Sequence, residues 1–495
     1  MQAYQRIKKQ FKKLAHLQYA QKILMWDEAV VMPQGAGPYR ADAVATLEGL
    51  IQKRLISNKV KNCLDQASSE KQHLSTWDRA NLQWMEKKYQ LAACFPSTLA
   101  EKLTKAKLIS EQAWRRYREQ NNWQDFLPYF ENTFALIKEL AQRQSQILQL
   151  GPYDALLDEY APGFTQGQID AIFSELKQKL PTLINKIREK QAVESVKKPQ
   201  GPFAVEKQKS LGLQIMKSLG FDFDHGRLDT SHHPFCNGIK EDTRITTRYS
   251  EEEFTSSLMG ICHETGHALY EQGLPVAWMS QPVGMVHSMA MHESQSLLIE
   301  MQVCRSQAYF EYILPLIQAS FGQQDAFTAE NLFKLNTRVL PSYIRVDADE
   351  VTYPLHIILR YELEKALFKG EIEIKDLPHH WDEFMQKYLG LSTRGNDKNG
   401  VMQDVHWPSG AFGYFPAYTL GRLLAAQFFA SFKQQHPQFE QEVRQGRFQT
   451  LVQWLGKHIY SLASSLPTGE LVKQVTGKDL ETGYFIQHIE QRYLG

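Results

Sequence analysis

The sequence predicts a mainly α-helical fold with one small β-sheet. Apolar residues recur at spacings of three and four, with charged residues between them, in segments near 3–25, 38–67, 70–92, 97–120, 125–150 and 167–191. This is the periodicity of amphipathic helices. Strand signals are few, and the clearest is the alternating segment "DTRITTRYS" at 242–250, which we interpret as a short edge strand.

No linker rich in Gly and Ser, or in Pro, divides the 495 residues, and the nearest candidate is "VKKPQGPF" at 196–203. We therefore expect one domain over residues 1–495. Within it, a helical lobe at about 1–200 precedes a part at about 201–495 that holds the strand signal and the motifs described below.

The composition weighs against several classes of partner, although it leaves room for a local basic pocket. With 56 basic and 55 acidic residues the net charge is +1, so no overall field attracts nucleic acid or an anionic membrane. No stretch approaches the roughly 18 apolar residues of a membrane span. The five cysteines are scattered without a CxxC pair, and the N-terminus lacks the apolar stretch of a secretory signal. We expect a cytoplasmic protein with no nucleic-acid or membrane partner.

The segment "GICHETGHALYEQG" at 260–273 carries two histidines at helical spacing. Ser250 with Glu253 predicts a capping box before this helix, and Gly273 predicts its end. His263 and His267 would lie roughly 6 Å apart on one face, with Glu264 beside them, a geometry that suits a zinc ion. A solvated helix with incidental histidines is the alternative at this point.

A metal site needs a third ligand. The extension HExxHxxGxxH is excluded, because Tyr270 and Gly273 occupy the positions where it requires Gly and His. Glu271 would lie roughly 12 Å along the axis from His263, too far to share an ion. A second helix at 286–310 offers Glu293, with Glu300 as the runner-up. Two histidines and one glutamate leave a fourth position for water, as in catalytic zinc sites.

Six short motifs then follow one another in order: "HPF" at 233–235, "DTRIT" at 242–246, "HETGH" at 263–267, "HESQ" at 292–295, "IRVDAD" at 344–349 and "GVMQDVHW" at 400–407. With "WDEAVVMPQGA" near the start and "GYFPAYTLG" at 413–421, the chain resembles the carboxypeptidase Taq family of metallocarboxypeptidases nearly end to end. The resemblance implies a saddle-like, mainly α-helical homodimer with a deep active-site groove.

The resemblance also implies an activity. Members use zinc, with cobalt as an active substitute, and release single amino acids with broad specificity from peptides with a free C-terminus. Carried over by position, His263, His267 and Glu293 are the metal ligands and Glu264 is the catalytic carboxylate. Arg345 would recognise the terminal carboxylate of the substrate.

Side-chain chemistry suggests further roles. His406 and Tyr414 are candidates to stabilise the oxyanion, with Tyr418 as the alternative, although packing is the other explanation for each of them. Arg345 has the planar fork that suits a carboxylate, and Arg244 is a lesser candidate for binding substrate.

Some side chains have more than one possible partner. Nearby aspartates could instead hold Arg345 in a structural ion network, and acceptors for the metal-binding histidines are available at Asp347, Asp349, Asp404 and Glu300. The sequence does not choose among them.

Two other functions remain consistent with the residues. One is a zinc endopeptidase or oligopeptidase on a related helical scaffold, which would cleave a C-terminally amidated peptide as well as a free one. The other is a metal-stabilised helical interaction protein, in which four protein ligands would enclose the ion.

Overall fold

The computed structural model describes residues 2–495 and confirms a mainly α-helical fold with one small sheet. Within these residues, nine α-helices precede the sheet: α1 (Gln2–Val30), α2 (Gly37–Leu55), α3 (Asn58–Ser69), α4 (Thr76–Ala93), α5 (Ser97–Glu119), α6 (Trp123–Leu148), α7 (Pro152–Tyr160), α8 (Gln166–Ala192) and α9 (Val205–Leu219). The strands are β1 (Gly226–Thr230), β2 (Cys236–Ile239) and β3 (Asp242–Thr247).

Eleven helices follow the sheet within residues 2–495: α10 (Thr255–Gly273), α11 (Met289–Leu297), α12 (Gln307–Phe321), α13 (Ala329–Asn336), α14 (Tyr353–Lys369), α15 (Leu377–Leu389), α16 (Pro416–Gln435), α17 (Phe439–Arg444), α18 (Gln449–His458), α19 (Thr468–Thr476) and α20 (Gly483–Tyr493). A π-helical segment, Leu298–Cys304, continues α11. The sequence predicts one helix at 286–310, but the helical structure runs from Met289 to Cys304 and α12 begins at Gln307. π-helical turns often occur at functional sites.

One predicted helix is divided in two. The periodicity at 38–67 is continuous, but α2 ends at Leu55 and α3 begins at Asn58. The Ser57 hydroxyl accepts a hydrogen bond from the backbone N–H of Val60, which caps the first turn of α3. A serine inside an apolar periodicity is therefore the signal that marks this break.

The interior is organised as one large apolar cluster and two smaller ones. The first helices enclose a cluster that includes Tyr4, Ile7, Leu82 and Met85. The main core extends from α5 to the C-terminal helix and encloses the helices around α10 and α16. The smallest cluster packs β1 and β3 against α9 and α10 and includes Ile245 and Ile261.

The segment at 242–250 is not the edge strand that the sequence predicts. In the order β1-β3-β2, β3 is the central strand, parallel to β1 and antiparallel to β2. The neighbouring strands are four or five residues long and contain Gly, Asp and Asn, which are depleted in strands, so their sequences carry little strand signal. The buried face of β3 packs against α10.

Helix α1 is joined to this sheet by side chains far apart in sequence. The Tyr19 hydroxyl donates to Asp242 at 2.7 Å, and the Lys22 ammonium donates to the carbonyl of Gly238 at 2.6 Å. The Arg244 guanidinium lies 4.3 Å from the centre of the Trp26 ring. These contacts fix the N-terminal helices against the part of the chain that carries the HExxH helix.

No helix within residues 2–495 combines the length and the hydrophobicity that crossing a bilayer requires.

Candidate active site

Helix α10 carries the HExxH motif and begins later than the sequence predicts. It starts at Thr255, so Ser250 is not its N-cap and the predicted capping box is wrong. Instead the Glu253 carboxylate accepts from the backbone N–H of Ser256 at 2.9 Å, and it also contacts the first residue of the helix. A carboxylate at this end satisfies free N–H groups and the positive end of the helix dipole. The predicted end at Gly273 is confirmed.

Two glycines allow the helices of the site to approach closely. A Cβ added to Gly266, inside HETGH, would lie 2.6 Å from the carbonyl oxygen of Gln295 on α11. A Cβ added to Gly421, on α16, would lie 2.9 Å from the Cβ of Glu293. Both distances are far below van der Waals contact. The missing side chains let α11 lie between α10 and α16 with Glu293 directed at the histidines.

His263, His267 and Glu293 converge on one point. The Nε2 atom of His263 lies 3.6 Å from Oε2 of Glu293, and that of His267 lies 3.4 Å from the same oxygen. One ligand atom from each residue lies within 4.8 Å of the others. Burial raises the pKa of Glu293, but His263 and His267 outweigh it, so that the pKa is lowered and the carboxylate is anionic. Three donors of this kind can hold a divalent metal ion.

The outer nitrogen of His263 has an anionic partner. Its Nδ1 lies 2.9 Å from Oε2 of Glu300, and Arg305 donates to the other oxygen of that carboxylate at 2.8 Å. Glu300, the runner-up ligand in the sequence, is therefore a partner of a ligand in this geometry. A carboxylate at Nδ1 fixes the tautomer that leaves Nε2 free to bind metal.

The outer nitrogen of His267 has a different partner, which sequence reasoning missed. Its Nδ1 is hydrogen-bonded to Nδ1 of His292, and Nε2 of His292 lies 3.2 Å from the Glu271 carboxylate. Burial lowers the pKa of His292, which favours the neutral ring. A neutral His292 accepts at Nδ1 and donates at Nε2, so the chain of bonds also leaves Nε2 of His267 free for metal.

Glu264 lies next to the triad on α10 and is buried. Within the described residues, no hydrogen bond to its carboxylate is found, in contrast to Glu271, Glu293 and Glu300. Burial raises its pKa, and His263 and His267 oppose that shift. A buried, unengaged carboxylate with a raised pKa beside a metal site has the properties of a general base.

Arg345 is part of an ion cluster whose anion is Asp404. The Arg345 guanidinium donates to Oδ1 of Asp404 at 2.8 Å and to the Tyr353 hydroxyl at 2.6 Å. Arg360 donates to Oδ2 of the same carboxylate at 2.7 Å. Two guanidinium groups share one carboxylate, so the cluster carries an excess of one positive charge. Local sequence patterns do not reveal these contacts, because Arg360 lies 44 residues and Arg345 lies 59 residues from Asp404.

The other aspartates named with Arg345 have different contacts. Asp349 accepts from the backbone N–H groups of Val351 and Thr352 at 2.9 Å, which ties the turn before α14. Asp347 lies in the short 3-10 turn Arg345–Asp347. Of the three aspartates, Asp404 is the one that pairs with Arg345, and it shares its carboxylate with Arg360.

His406, Tyr414 and Tyr418 form an aromatic cluster beside Arg345. Nε2 of His406 lies 3.2 Å from the Tyr418 hydroxyl, and the His406 and Tyr414 rings are 5.1 Å apart. The Arg345 guanidinium lies 5.0 Å from the Tyr418 ring. Burial lowers the pKa of His406 to about 3, so its imidazole is neutral and can donate one hydrogen bond.

Arg244 has its contacts elsewhere. Its guanidinium donates twice to Asp242 at 2.8 Å and lies over Trp26, on the strand face that meets α1.

The family comparison decides what these residues belong to. Residues 6–493 match the family described as "Carboxypeptidase Taq (M32) metallopeptidase". The chain belongs to the carboxypeptidase Taq (M32) family. Among curated M32 relatives, thermostable carboxypeptidase 1 of Thermus thermophilus is 36% identical over 99% of this chain and 98% of its own. Carboxypeptidase 1 of Bacillus subtilis is 33% identical over 97% and 96%.

Solved M32 structures have the same fold. Metallocarboxypeptidase 1 of Trypanosoma cruzi superposes with a TM-score of 0.98 at 39% identity, with full coverage of both chains. The M32 carboxypeptidase of Deinococcus radiodurans gives 0.95 at 32% identity and covers 100% of this chain and 99% of its own. The protein is therefore a metallocarboxypeptidase, and its family confirms the predicted use of a metal ion.

Proposed function

We propose that the protein is a zinc-dependent carboxypeptidase that removes single amino acids, with broad specificity, from the free C-terminus of peptides. The observation that carries this proposal is the open triad of His263, His267 and Glu293 with the unengaged carboxylate of Glu264 beside it. The three side chains leave a fourth position for water, which distinguishes a catalytic from a structural zinc site.

The donor set fits zinc by geometry and by chemistry. Ligand atoms about 2.0–2.1 Å from a tetrahedral ion are about 3.3 Å apart. The two distances from Oε2 of Glu293 to the histidine nitrogens, 3.4 and 3.6 Å, agree with that value. Two imidazoles and one carboxylate are also ligands that zinc accepts, and cobalt takes the same set.

The residues of the chain would perform the proton transfers. When bound, zinc lowers the pKa of a coordinated water and polarises the scissile carbonyl. Glu264 would take a proton from the attacking water as the water oxygen bonds to the carbonyl carbon. Glu264 then passes the proton to the amide nitrogen as the carbon–nitrogen bond breaks. The raised pKa of Glu264 suits both steps, because the group must accept and release a proton near neutral pH.

We place the substrate's terminal carboxylate against the Arg345 cluster. One carboxylate shared by two buried guanidinium groups leaves a positive charge that a substrate anion would balance. Tyr418 lies over Arg345 and would line the same position. Arg244, bonded to Asp242 and lying over Trp26, would act only indirectly, through the contact between the sheet and α1.

Developing negative charge on the carbonyl oxygen requires donors from the chain. Tyr414 and neutral His406 are adjacent and are proposed for this role, with Tyr418 as the alternative. Loss of one such donor typically lowers kcat by about 10²–10³. The kinetics of Tyr414→Phe and Tyr418→Phe distinguish the two candidates. The tyrosine whose replacement lowers kcat by that amount, with little change in KM, is the donor.

Mass spectrometry of a peptide with a free and with an amidated C-terminus tests the activity. We expect stepwise loss of single residues from the free peptide, restored by zinc after chelation, and no cleavage of the amide. Glu264→Gln should abolish activity with zinc still bound, whereas Glu330→Gln, at an exposed ion pair on α13, should not. Equal cleavage of the amidated peptide would instead identify an endopeptidase or oligopeptidase.

We also propose that residues 1–495 act as one peptidase domain, in a cytoplasmic homodimer. All five cysteines are unpaired, which suits a reducing compartment, and the main core runs from Leu103 to Tyr493. Light scattering of the zinc-loaded protein and cell fractionation test the dimer and the compartment.

A further inference from the structure

Glu364, on α14, is a fully buried carboxylate that the proposed mechanism does not use. Its Oε1 accepts from the indole N–H of Trp407 at 2.6 Å. Its Oε2 accepts from the backbone N–H of Gly413 at 2.9 Å and from the Tyr153 hydroxyl at 2.7 Å. Three hydrogen-bond donors thus point at the two oxygens, which suits an ionised carboxylate because it only accepts hydrogen bonds.

Two of these donors flank the candidate oxyanion donors. Trp407 follows His406 directly, and Gly413 precedes Tyr414 directly. Between them the backbone turns tightly, with the N–H of Ala411 donating to the carbonyl of His406 at 2.8 Å. One carboxylate therefore holds both ends of the segment 406–414 and fixes the separation of the His406 and Tyr414 rings, which is 5.1 Å.

Gly413 shows how closely this segment approaches its support. Its φ is +79°, a conformation that favours glycine, and a Cβ there would lie 2.8 Å from the backbone of Leu156 on α7. The segment therefore rests on α7 on one side and on the Glu364 carboxylate on the other. Neither contact can be moved without displacing Tyr414.

The surroundings of Glu364 make its charge sensitive to pH. Burial raises the pKa of its carboxyl to about 7, against the opposing effect of the hydrogen bonds from Trp407, Tyr153 and Gly413. The charged and titratable groups that face it are Tyr153 and Tyr160 from α7 and Arg360 from its own helix. Protonation would remove the negative charge that strengthens all three hydrogen bonds, so the hold of Glu364 on Trp407 and Gly413 would weaken.

We propose that Glu364 is a positioning residue, whose carboxylate sets the spacing of His406 and Tyr414 and thereby the rate of peptide hydrolysis. The effect on the rate of hydrolysis rests on the proposed function. The part that concerns position can be measured without any substrate.

The position is tested on zinc-loaded protein labelled with 5-fluorotryptophan. The protein has nine tryptophans, and the fluorine signal of Trp407 is assigned by its loss in Trp407→Phe. We expect this signal to titrate with a midpoint near 7, the pKa to which burial raises Glu364, and not to titrate in Glu364→Gln. His406 is not the source of such a midpoint, because its pKa is about 3.

The matched control is Glu362→Gln on the same helix, where the carboxylate pairs with Lys177 and Tyr388 instead. It should leave the midpoint of the Trp407 signal and the activity unchanged. Tyr153→Phe removes one donor that lowers the pKa of Glu364, so it should move the midpoint upward. It also serves as the test if Glu364→Gln fails to fold.

The activity of Glu364→Gln completes the test. We expect kcat to fall by about 10–100-fold with unchanged zinc content and little change in KM, since displaced catalytic groups typically cost factors of this size. Wild-type kcat in Glu364→Gln, or a Trp407 signal that does not titrate or is unmoved in Tyr153→Phe, would overturn the inference. A wild-type protein that releases no amino acids would refute the proposed function alone, because the fluorine titration would still report on Glu364.

Discussion

Oε2 of Glu300 lies 2.9 Å from Nδ1 of His263, on the edge of the imidazole opposite to the nitrogen that faces Glu293. The bond orients the ring and assigns the proton to Nδ1, so the lone pair of Nε2 is directed at the metal position. Arg305, which donates to the other oxygen at 2.8 Å, keeps Glu300 in this rotamer. We therefore expect the metal affinity of this site to depend on Glu300, a residue that would not itself coordinate the ion.

We expect Glu300→Gln to weaken zinc binding by about 10- to 100-fold, since loss of such an outer partner typically has this effect. Competition with a chelating dye at fixed pH measures the affinity directly. Glu311→Gln, an exposed residue on α12 paired with Arg444, is the matched control. Equal affinities in Glu300→Gln and wild type would show that Glu300 does not support the ligand.

Asp404→Asn should destabilise the fold by about 3–5 kcal/mol, because it leaves Arg345 and Arg360 buried without their shared anion. Urea unfolding measures the difference in the free energy of unfolding. Asp325→Asn, at a highly exposed side chain, should change it little.

The ion pairing of Asp404 with the two arginines also predicts how the stability of the protein depends on pH. Burial raises the pKa of Asp404, but Arg345 and Arg360 outweigh it and hold the pKa well below its ordinary value of 3.8. The carboxylate therefore contributes stability above that value, and the contribution is lost as the pH falls below it. The difference in the free energy of unfolding between wild type and Asp404→Asn should therefore become smaller in acid. A difference that is constant with pH would contradict the ion pairing.

Gly266→Ala should destabilise the protein by about 1–3 kcal/mol, since its Cβ would overlap the backbone of α11. Gly260→Ala on the same helix is the control, because the nearest atom to its Cβ is 3.9 Å away. Gly260→Ala should stabilise the protein instead, because alanine in a helix is more favourable than glycine by about 0.5–1 kcal/mol. Thermal unfolding of both variants checks the prediction, and two shifts of the same sign would refute it.

His406 should remain neutral throughout the range in which the enzyme works. Burial, with Arg345 and Arg360 nearby, lowers its pKa to about 3, so its ring nitrogens should not titrate between about pH 5 and 8. NMR of protein with 15N-labelled histidine tests this. His225 provides the internal control, because its bond to Asp222 raises its pKa and its signal should titrate. A midpoint near 6.5 for His406 would contradict its proposed role as a neutral donor.

The local parts of the site follow from the sequence for a physical reason. His263 and His267 share a helix face because the chain turns once every 3.6 residues, and Glu293 follows within the reach of one antiparallel return. The helical class is predicted in the same way, from periodicities that depend only on near neighbours. Both features depend on residues close together in the chain, and such local patterns can be recognised in a single sequence.

The remaining features depend on contacts across the chain. Asp404 was one of four possible acceptors for the metal-binding histidines, yet it joins two arginines 44 and 59 residues away. The central position of β3 could not be seen, because β1 and β2 are short and polar and are strands by virtue of pairing with it. His292 lies beside a ligand in sequence, but its bond to His267 exists only where α11 packs on α10.

The bond between Tyr19 and Asp242 spans 223 residues. At a synthesis rate of about 5–20 residues per second, Asp242 leaves the ribosome roughly 11–45 s after Tyr19. During that interval α1 has its neighbours α2 to α4, with which it shares an apolar cluster, but no sheet to pack against. The face of α1 that carries Tyr19, Lys22 and Trp26 can therefore be covered only after the strands emerge, long after α1 to α4 have been made.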